Sequence, residues 1–288
     1  MRSFIMRPGF ADLHLHTRAS DGTQSVGELL RRAKACGLRT VAMTDHDTIS
    51  PELTSVTTTQ SGVEVITGAE LKVTFSGVTG ELLAYFLDPR NAPLQAFLAR
   101  MAQARTDRME EMVRRCAQET GTDLRLEDVQ AHADGNLGRP HLARVLAERG
   151  LVTSMEEAFR ALLTKGRPCY VPIAKPDFRD VLDIVHAAGG VTSVAHPCLM
   201  SVEDWPSFLD AVRDAGVDGM ETIYPYHFAH RGLSIAPGVL HRMAVDRGFL
   251  ITGGSDDHGP GSTKASLGSV RLPPHRVDAL RDARPDIT

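Results

Sequence analysis

The sequence predicts an α/β chain, a parallel barrel of repeated βα units that carries a helical insertion. Three observations carry that expectation. Short apolar segments alternate with amphipathic ones over the first ninety residues; from Pro93 to Thr164 apolar residues recur only at helical spacing; beyond Tyr170 the alternation returns. Residues 1–90 and 166–288 are therefore expected to form the two parts of the barrel, and 91–165 the insertion.

Taken in order, residues 9–13 form a strand that runs into Asp12-Leu13-His14-Leu15-His16. Residues 25–36 have helical periodicity ending at Gly37, and Thr40–Met43 is a buried strand. Val63–Thr67 is the next strand, followed by a Gly68-Ala69 turn. Leu71–Phe75 and Glu81–Leu87, separated by Ser76–Gly80, predict an antiparallel hairpin. Leu94, Phe97, Leu98, Met101, Met109, Met112, Val113 and Cys116 mark the buried side of the inserted helix. After it come helices near 176–188, 204–215 and 236–247, and strands at 190–195, 217–222 and 249–253.

At 288 residues, with 42% hydrophobic residues, the chain is long enough for one large α/β domain with an insert. It has no apolar run approaching the roughly 18 residues of a membrane span. Met1–Pro8 lacks the apolar stretch and cleavage site of a signal peptide, and the four cysteines form no CxxC pair, so the expected compartment is the reducing cytoplasm. A net charge of −4 argues against clamping a long nucleic-acid duplex and leaves room for a small phosphorylated substrate.

Five short segments join histidine to carboxylate or place either at a strand end: Asp12–His16, Thr44-Asp45-His46-Asp47, Gly68-Ala69-Glu70, Ala195-His196-Pro197 and Gly254–His258. Imidazole and carboxylate hold divalent ions, and catalytic groups of βα barrels sit at the carboxyl ends of strands. Asp12, His14 and His16 share one parity of an extended strand, and Asp256 and His258 repeat the pattern. A lone HxH is weak evidence. Glu70 alone reads as a solvated acid or a bridge between ions, and His196 as a satisfied core residue or a ligand. Together they read as a multinuclear metal site of a hydrolase.

The series DLHLHTRASDG, MTDHD, GAE, GRPH, AHP and GSDDH resembles, in order and over nearly the whole chain, the polymerase and histidinol phosphatase (PHP) superfamily. The closest likeness is to its bacterial phosphoesterases of nucleoside 3′,5′-bisphosphates and short 5′-phosphorylated RNA. The resemblance implies a distorted (β/α)7 TIM-like barrel of the PHP type and two or three divalent ions, Mn2+ first, with Fe2+ or Zn2+ as alternatives. It implies His14, His16, Glu70 and Asp256 on one ion, Glu70, His141 and His196 on a second, and Asp21, His46 and His258 on a third. Without it His141 is an ordinary histidine at a helix start.

Three divalent ions against three carboxylates and a hydroxide leave surplus positive charge, which suits a phosphate dianion and makes a bridging hydroxide the expected nucleophile. Glu70 and Asp256 are the expected catalytic carboxylates, and His258 or Asp256 could assist the leaving oxygen. Asp12 and Asp45 are expected to orient ligands, and Asp47 and Asp257 to be turn residues.

Arg139, Lys165, Arg167 and Tyr170 are the substrate-facing candidates, with solvated surface an equal reading for Lys165 and Arg167. Arg100, Arg105, Arg108, Arg114 and Arg115 read first as the polar side of the inserted helix, with a second reading in which some of them lean over the site and track an RNA backbone. Tyr224-Pro225-Tyr226-His227 is core or a stacking platform. The alternatives are a histidinol-phosphate-type phosphatase, an amidohydrolase and a non-catalytic metal-binding module.

Overall fold

A computed structural model describes residues 9–228 and 232–285. The expectations for Met1–Pro8, and His230, which was given no chemistry, lie outside the described residues. The chain opens with β1 (Phe10–Leu15), α1 (Val26–Ala35), β2 (Leu38–Met43), β3 (Thr57–Gln60), β4 (Val63–Phe75) and β5 (Val78–Tyr85). Helices then follow without a strand: α2 (Ala92–Thr120), α3 (Leu126–Gln130), α4 (Arg139–Glu148) and α5 (Met155–Ala158), which runs into a π-helical turn at Phe159–Leu163. The rest is α6 (Phe178–Ala187), β6 (Val191–Val194), α7 (Trp205–Asp214), β7 (Gly219–Ile223), α8 (Pro237–Asp246), β8 (Leu250–Gly253) and α9 (Pro274–Asp282).

One mixed sheet of eight strands organises the chain. Its path is β1-β2-β4-β5-β6-β7-β8, with β3 beside β4. The expected TIM-like barrel is corrected here on two counts. The pairs β4–β5 and β5–β6 are antiparallel, because β5 returns from β4 by a hairpin rather than through a crossover helix. The sheet is also not closed: its end strands meet through the isolated bridge Leu15↔Asp257, just past the end of β8.

Gly68-Ala69 is no turn. Val63 to Phe75 form one continuous strand that pairs with β2 and β3 in its first half and with β5 in its second. At the change of partner a Cβ on Gly68 would lie 2.5 Å from the Ala84 carbonyl oxygen, so only glycine lets three strands crowd there. The hairpin turn is also shorter than expected. Phe75 pairs with Val78, leaving only Ser76-Gly77 between the strands and setting Glu81 opposite Lys72.

Apolar residues divide between three clusters. The largest lies between the sheet and the helices packed on it, including Leu29, Val41, Val65, Leu71, Phe178 and Leu209. A second, with Leu13, Ile66, Leu83 and Tyr85, fills the inner side of the sheet. The third joins Met112, Cys116, Leu142, Leu146 and Leu163 among the helices between β5 and α6. α1 begins with a capping box, Ser25 and Glu28 serving each other's backbone N–H groups. α2 starts at an Asn91 cap and stops where Gly121 takes the left-handed conformation.

Candidate metal centre

The carboxyl ends of β1, β2, β6 and β8 and the middle of β4 bring most of the expected donors to one place. Four overlapping groups have their donor atoms within 4.8 Å of one another: His14, His16 and Glu70; His14, His196 and Asp256; His16, Asp21, His46 and His258; and His46, Glu70 and Glu81. Glu70 lies at the middle. Its Oε2 is 3.4 Å from Nε2 of both His14 and His16 and 2.9 Å from His46 Nδ1, while its Oε1 is 2.9 Å from His196 Nε2. Asp256 Oδ1 lies 3.6 Å from His14 Nε2 and 3.3 Å from His16 Nε2, and Asp21 Oδ1 is 3.3 Å from His258 Nε2.

Local backbone features place these groups. The loop after β8 folds back on β1, with Asp256 N–H donating to the His14 carbonyl and His16 N–H to that of Asp257. A Cβ on Gly254 would sit 2.3 Å from the His14 Cβ, so glycine is required where the loop crosses the strand. Asp256 and His196 hold φ of 57° and 28°, left-handed conformations that turn their side chains inward.

These residues fit a cation. His14 Nε2, His16 Nε2, Asp21 Oδ1, His46 Nδ1, Glu70 Oε2 and His196 Nδ1 are buried without a hydrogen-bond partner; His46 Nδ1 is near Glu70 but off the line of a bond. Orphaned buried polar atoms cost free energy, and shared ions would satisfy them together. The tautomers agree. His258 Nδ1 donates to the Asp256 carbonyl at 2.8 Å and His14 Nδ1 to Glu221 at 3.0 Å, which leaves each Nε2 lone pair facing the cluster.

Charge coupling points the same way. Burial and the neighbouring His258 and His46 press the His16 imidazole down to about 3. For His46 burial is outweighed by Asp21 and Glu70, which push it up to about 9. Burial opposes ionisation of Glu70, Asp21 and Asp256, but histidines, and for Asp256 Lys264 first, hold all three well below the ordinary carboxylate range. A cluster that recruits protons onto histidine to balance its carboxylates is one that divalent ions would stabilise.

His141 stands apart. It belongs to none of the donor groups among the described residues. Its Nδ1 accepts the Gly138 N–H at 3.0 Å, so the neutral ring carries its proton on Nε2 and has no lone pair to offer there. Glu81 is the donor that sequence reasoning missed. It lies 3.4 Å from His196 Nε2 and 2.6 Å from Lys72 Nζ, and the opposed Lys–Glu pair across the hairpin was its only signal.

The supporting carboxylates are also redistributed. Asp12 and Asp45 touch no imidazole directly: Asp12 accepts from Ser255 N–H at 2.9 Å and holds backbone, while Asp45 accepts from Thr17 N–H and from Ser20 Oγ, which lies 3.5 Å from His16 Nδ1 and links the carboxylate to that ring. Glu221, a carboxylate in the apolar strand β7, is the one that orients His14. Asp47 and Asp257 are more than turn residues, for each is buried and paired to an arginine, Arg105 and Arg32 respectively. Tyr224 donates to Asp256 Oδ2 at 2.8 Å and meets the His196 ring edge-on, while Tyr226 is core.

Beside the cluster lies a cavity of about 170 Å³, lined by Asp21, His46 and Glu81 and by Lys72, Arg105, Arg108, Arg139, Phe159, Tyr170 and Lys175. Of the expected substrate residues, Arg139 and Tyr170 are in its wall; Lys165 and Arg167 are exposed and line no part of it. Arg139 stacks over Phe159 and donates to the Leu163 carbonyl, and Arg108 stacks over Tyr170 and donates to the Val171 carbonyl at 2.7 Å. Arg114 and Arg115 pair with Glu111, as expected of a polar face.

A family model of the PHP domain matches residues 12–164. The chain belongs to the PHP domain family. It is 28% identical over 279 residues to a 3′,5′-nucleoside bisphosphate phosphatase of Chromobacterium violaceum, spanning 91% of this chain and 92% of that one. A 5′-3′ exoribonuclease of Haemophilus influenzae is 32% identical over 187 residues, 65% of this chain and 68% of its own. A crystal structure from Bifidobacterium adolescentis, assigned as a metal-dependent phosphoesterase, superposes with a TM-score of 0.83 at 27% identity, covering 98% and 99%. An amidohydrolase of Chromobacterium violaceum with bound sulfate and no metal superposes at 0.75 and 26%, covering 96% and 98%. This PHP protein is a metal-dependent phosphoesterase, a hydrolase acting on phosphate esters. No described helix is long and apolar enough to cross a membrane.

One pH effect follows from a carboxylate behind the PHP donors. Burial pushes the Asp12 carboxyl from the usual 3.8 up to about 6, against the lowering effect of Ser255 and two further backbone N–H groups. The fold thus prefers Asp12 protonated, and the penalty for ionising it is absent below about pH 4 and complete above about pH 6. Asp12→Asn should stabilise the metal-free protein above pH 6 by up to about 3 kcal/mol and leave it unchanged at pH 4. Thermal unfolding at the two pH values checks this; an equal shift at both contradicts it.

Proposed function

We propose that the protein hydrolyses a phosphate ester of a nucleotide, removing a phosphate from a nucleoside 3′,5′-bisphosphate or trimming a short 5′-phosphorylated RNA from its 5′ end. The observation that carries this reading is the cavity of cations beside the donor cluster. Arg108, Arg139 and Lys175 line it and pair with no carboxylate among the described residues. The likeness to a bisphosphate phosphatase along nearly the whole chain supports the same substrate class.

His14, His16, Asp21, His46, Glu70, Glu81, His196, Asp256 and His258 would hold two or three ions, Mn2+ first among them by the family resemblance, since the mixed nitrogen and oxygen donors accept Fe2+ and Zn2+ as well. Bound there, divalent ions lower the pKa of water and neutralise phosphoryl oxygens. The chain's own residues do the rest. Glu70 belongs to two of the four donor groups and reaches His196 of a third, Glu221 fixes the His14 tautomer, and Tyr224 and Lys264 hold Asp256 Oδ2 so that Oδ1 faces the histidines.

Residues 91–165 act in this reading as a helical insertion that, with the return segment to Lys175, builds the wall for the phosphate that is not transferred. Arg139 and Tyr170 are its substrate-binding residues, joined by Arg108 and Lys175. Four free thiols fit a cytoplasmic location.

The test is phosphate release by protein stripped with a chelator and reloaded with Mn2+, Fe2+ or Zn2+. Stripping should abolish phosphate release from adenosine 3′,5′-bisphosphate and mononucleotide release from 5′-phosphorylated RNA, and reloading should restore both. If the reloaded protein leaves both intact but cleaves histidinol phosphate, the nucleotide reading is wrong.

A further inference from the structure

We propose that Arg105 is a positioning residue for the donor His46, so that helix α2 sets the cation affinity of the His16–Asp21–His46–His258 group. The inference rests on that group being a metal site. The turn bearing His46 has a buried carboxylate on each flank, and the two face opposite ways. Asp45 is turned toward the loop of Asp21, where Thr17 N–H, Thr17 Oγ1 and Ser20 Oγ donate to it at 2.8, 2.7 and 2.7 Å.

Asp47 has φ of 51°, a left-handed conformation that a non-glycine residue holds only when its surroundings fix it. Lys72 N–H donates to its Oδ1 at 2.8 Å, and Arg105 Nε and Nη2 reach its Oδ2 at 2.7 and 2.5 Å. Asn136 grips the same turn, its Nδ2 donating to the carbonyls of His46 and Asp47 at 3.0 and 3.1 Å. Arg105 lies on α2 and Asn136 precedes α4, so these two side-chain grips come from the helical segment and add to the backbone bonds that tie the turn to β4, Asp47 N–H to the Glu70 carbonyl and Glu70 N–H to the Asp45 carbonyl.

His46 needs such grips more than its neighbours do. Its side chain is 21% exposed, against 10%, 11% and 0% for Asp21, His258 and His16. The ring packs on His16 at a centroid distance of 4.6 Å but keeps its outer edge open, so the backbone turn has a larger share in placing the imidazole than it has for the fully buried His16. Partners that act through a ligand in this way commonly change metal affinity by about 10- to 100-fold.

The experiment is a Mn2+ titration of chelator-stripped full-length protein, following free Mn2+ by electron paramagnetic resonance, in wild type, Arg105→Met, Arg105→Lys and the double variant Arg105→Met with Asp47→Asn. Wild type should take up Mn2+; if it takes up none, the metal reading has failed and not this inference. Arg105→Met should weaken one class of site at least ~10-fold and leave the tighter sites within ~3-fold, with Arg105→Lys between it and wild type. The double variant removes the unpaired buried carboxylate and should recover thermal stability while the weakened site stays weak. Unchanged Mn2+ binding in Arg105→Met, or full recovery of binding in the double variant, overturns the proposal.

Discussion

Glu70→Gln is expected to lower kcat/KM for phosphate release by at least ~10³-fold, about 4 kcal/mol of transition-state stabilisation. Glutamine keeps the shape of the side chain and the pairing of β4, so the fold should survive. The loss is chemical. Glu70 places one oxygen within 3.4 Å of both His14 and His16 and 2.9 Å of His46, and the other 2.9 Å from His196. An amide brings no negative charge and puts N–H donors where a cation would bind, so more than one metal group is damaged by one substitution. Glu81→Gln is the control, since Glu81 belongs to one donor group only and is balanced by Lys72. Kinetics together with metal analysis of the purified variants decides the matter. A Glu70→Gln enzyme that keeps a full metal complement and a tenth of its activity would remove Glu70 from the centre.

Most of the candidate centre was legible because the chain writes most of the donors at or just past the end of an apolar strand, Glu70 in the middle of β4 and Asp21 in the loop after β1 being the exceptions. His14, His16, His46, His196, Asp256 and His258 need only that strand ends converge, which any α/β sheet ensures. The missed residues depend on facts that spacing does not carry. Glu81 reaches the cluster because the hairpin turn has two residues, and a longer turn shifts its partner and its face. Arg105 and Arg108 look like any polar face of a helix until the orientation of α2 against the sheet is known. His141 stays outside the donor groups of the described residues, and one backbone N–H, that of Gly138, decides which of its ring nitrogens keeps a lone pair, a detail that spacing does not carry. The mixed pairing of the sheet follows from the same hairpin, which replaces a crossover helix with an antiparallel return.

The cavity yields the second large effect. Arg139→Ala should lower kcat/KM for adenosine 3′,5′-bisphosphate by about 10²-fold, near 3 kcal/mol, mainly through KM, and leave p-nitrophenyl phosphate within ~3-fold. Burial presses Arg139 below the usual arginine value, and burial together with the nearby Arg139 presses Arg108 down to about 10. Both guanidiniums remain charged at neutral pH without a carboxylate in ion-pair contact among the described residues, Glu81 and Asp21 only partly offsetting the burial of Arg139, so an anion in the cavity would relieve the rest of the cost. Carbonyl contacts and the Phe159 and Tyr170 rings hold both side chains in place beforehand, which lowers the entropy lost on binding. Arg139→Lys should recover only part of the loss, because an ammonium cannot repeat the planar two-point contact of a guanidinium with phosphate. A substrate with one phosphate uses the metal centre alone and is the internal reference. Equal losses on both substrates would mean that Arg139 supports the centre itself, and the second-phosphate reading of the cavity would fall.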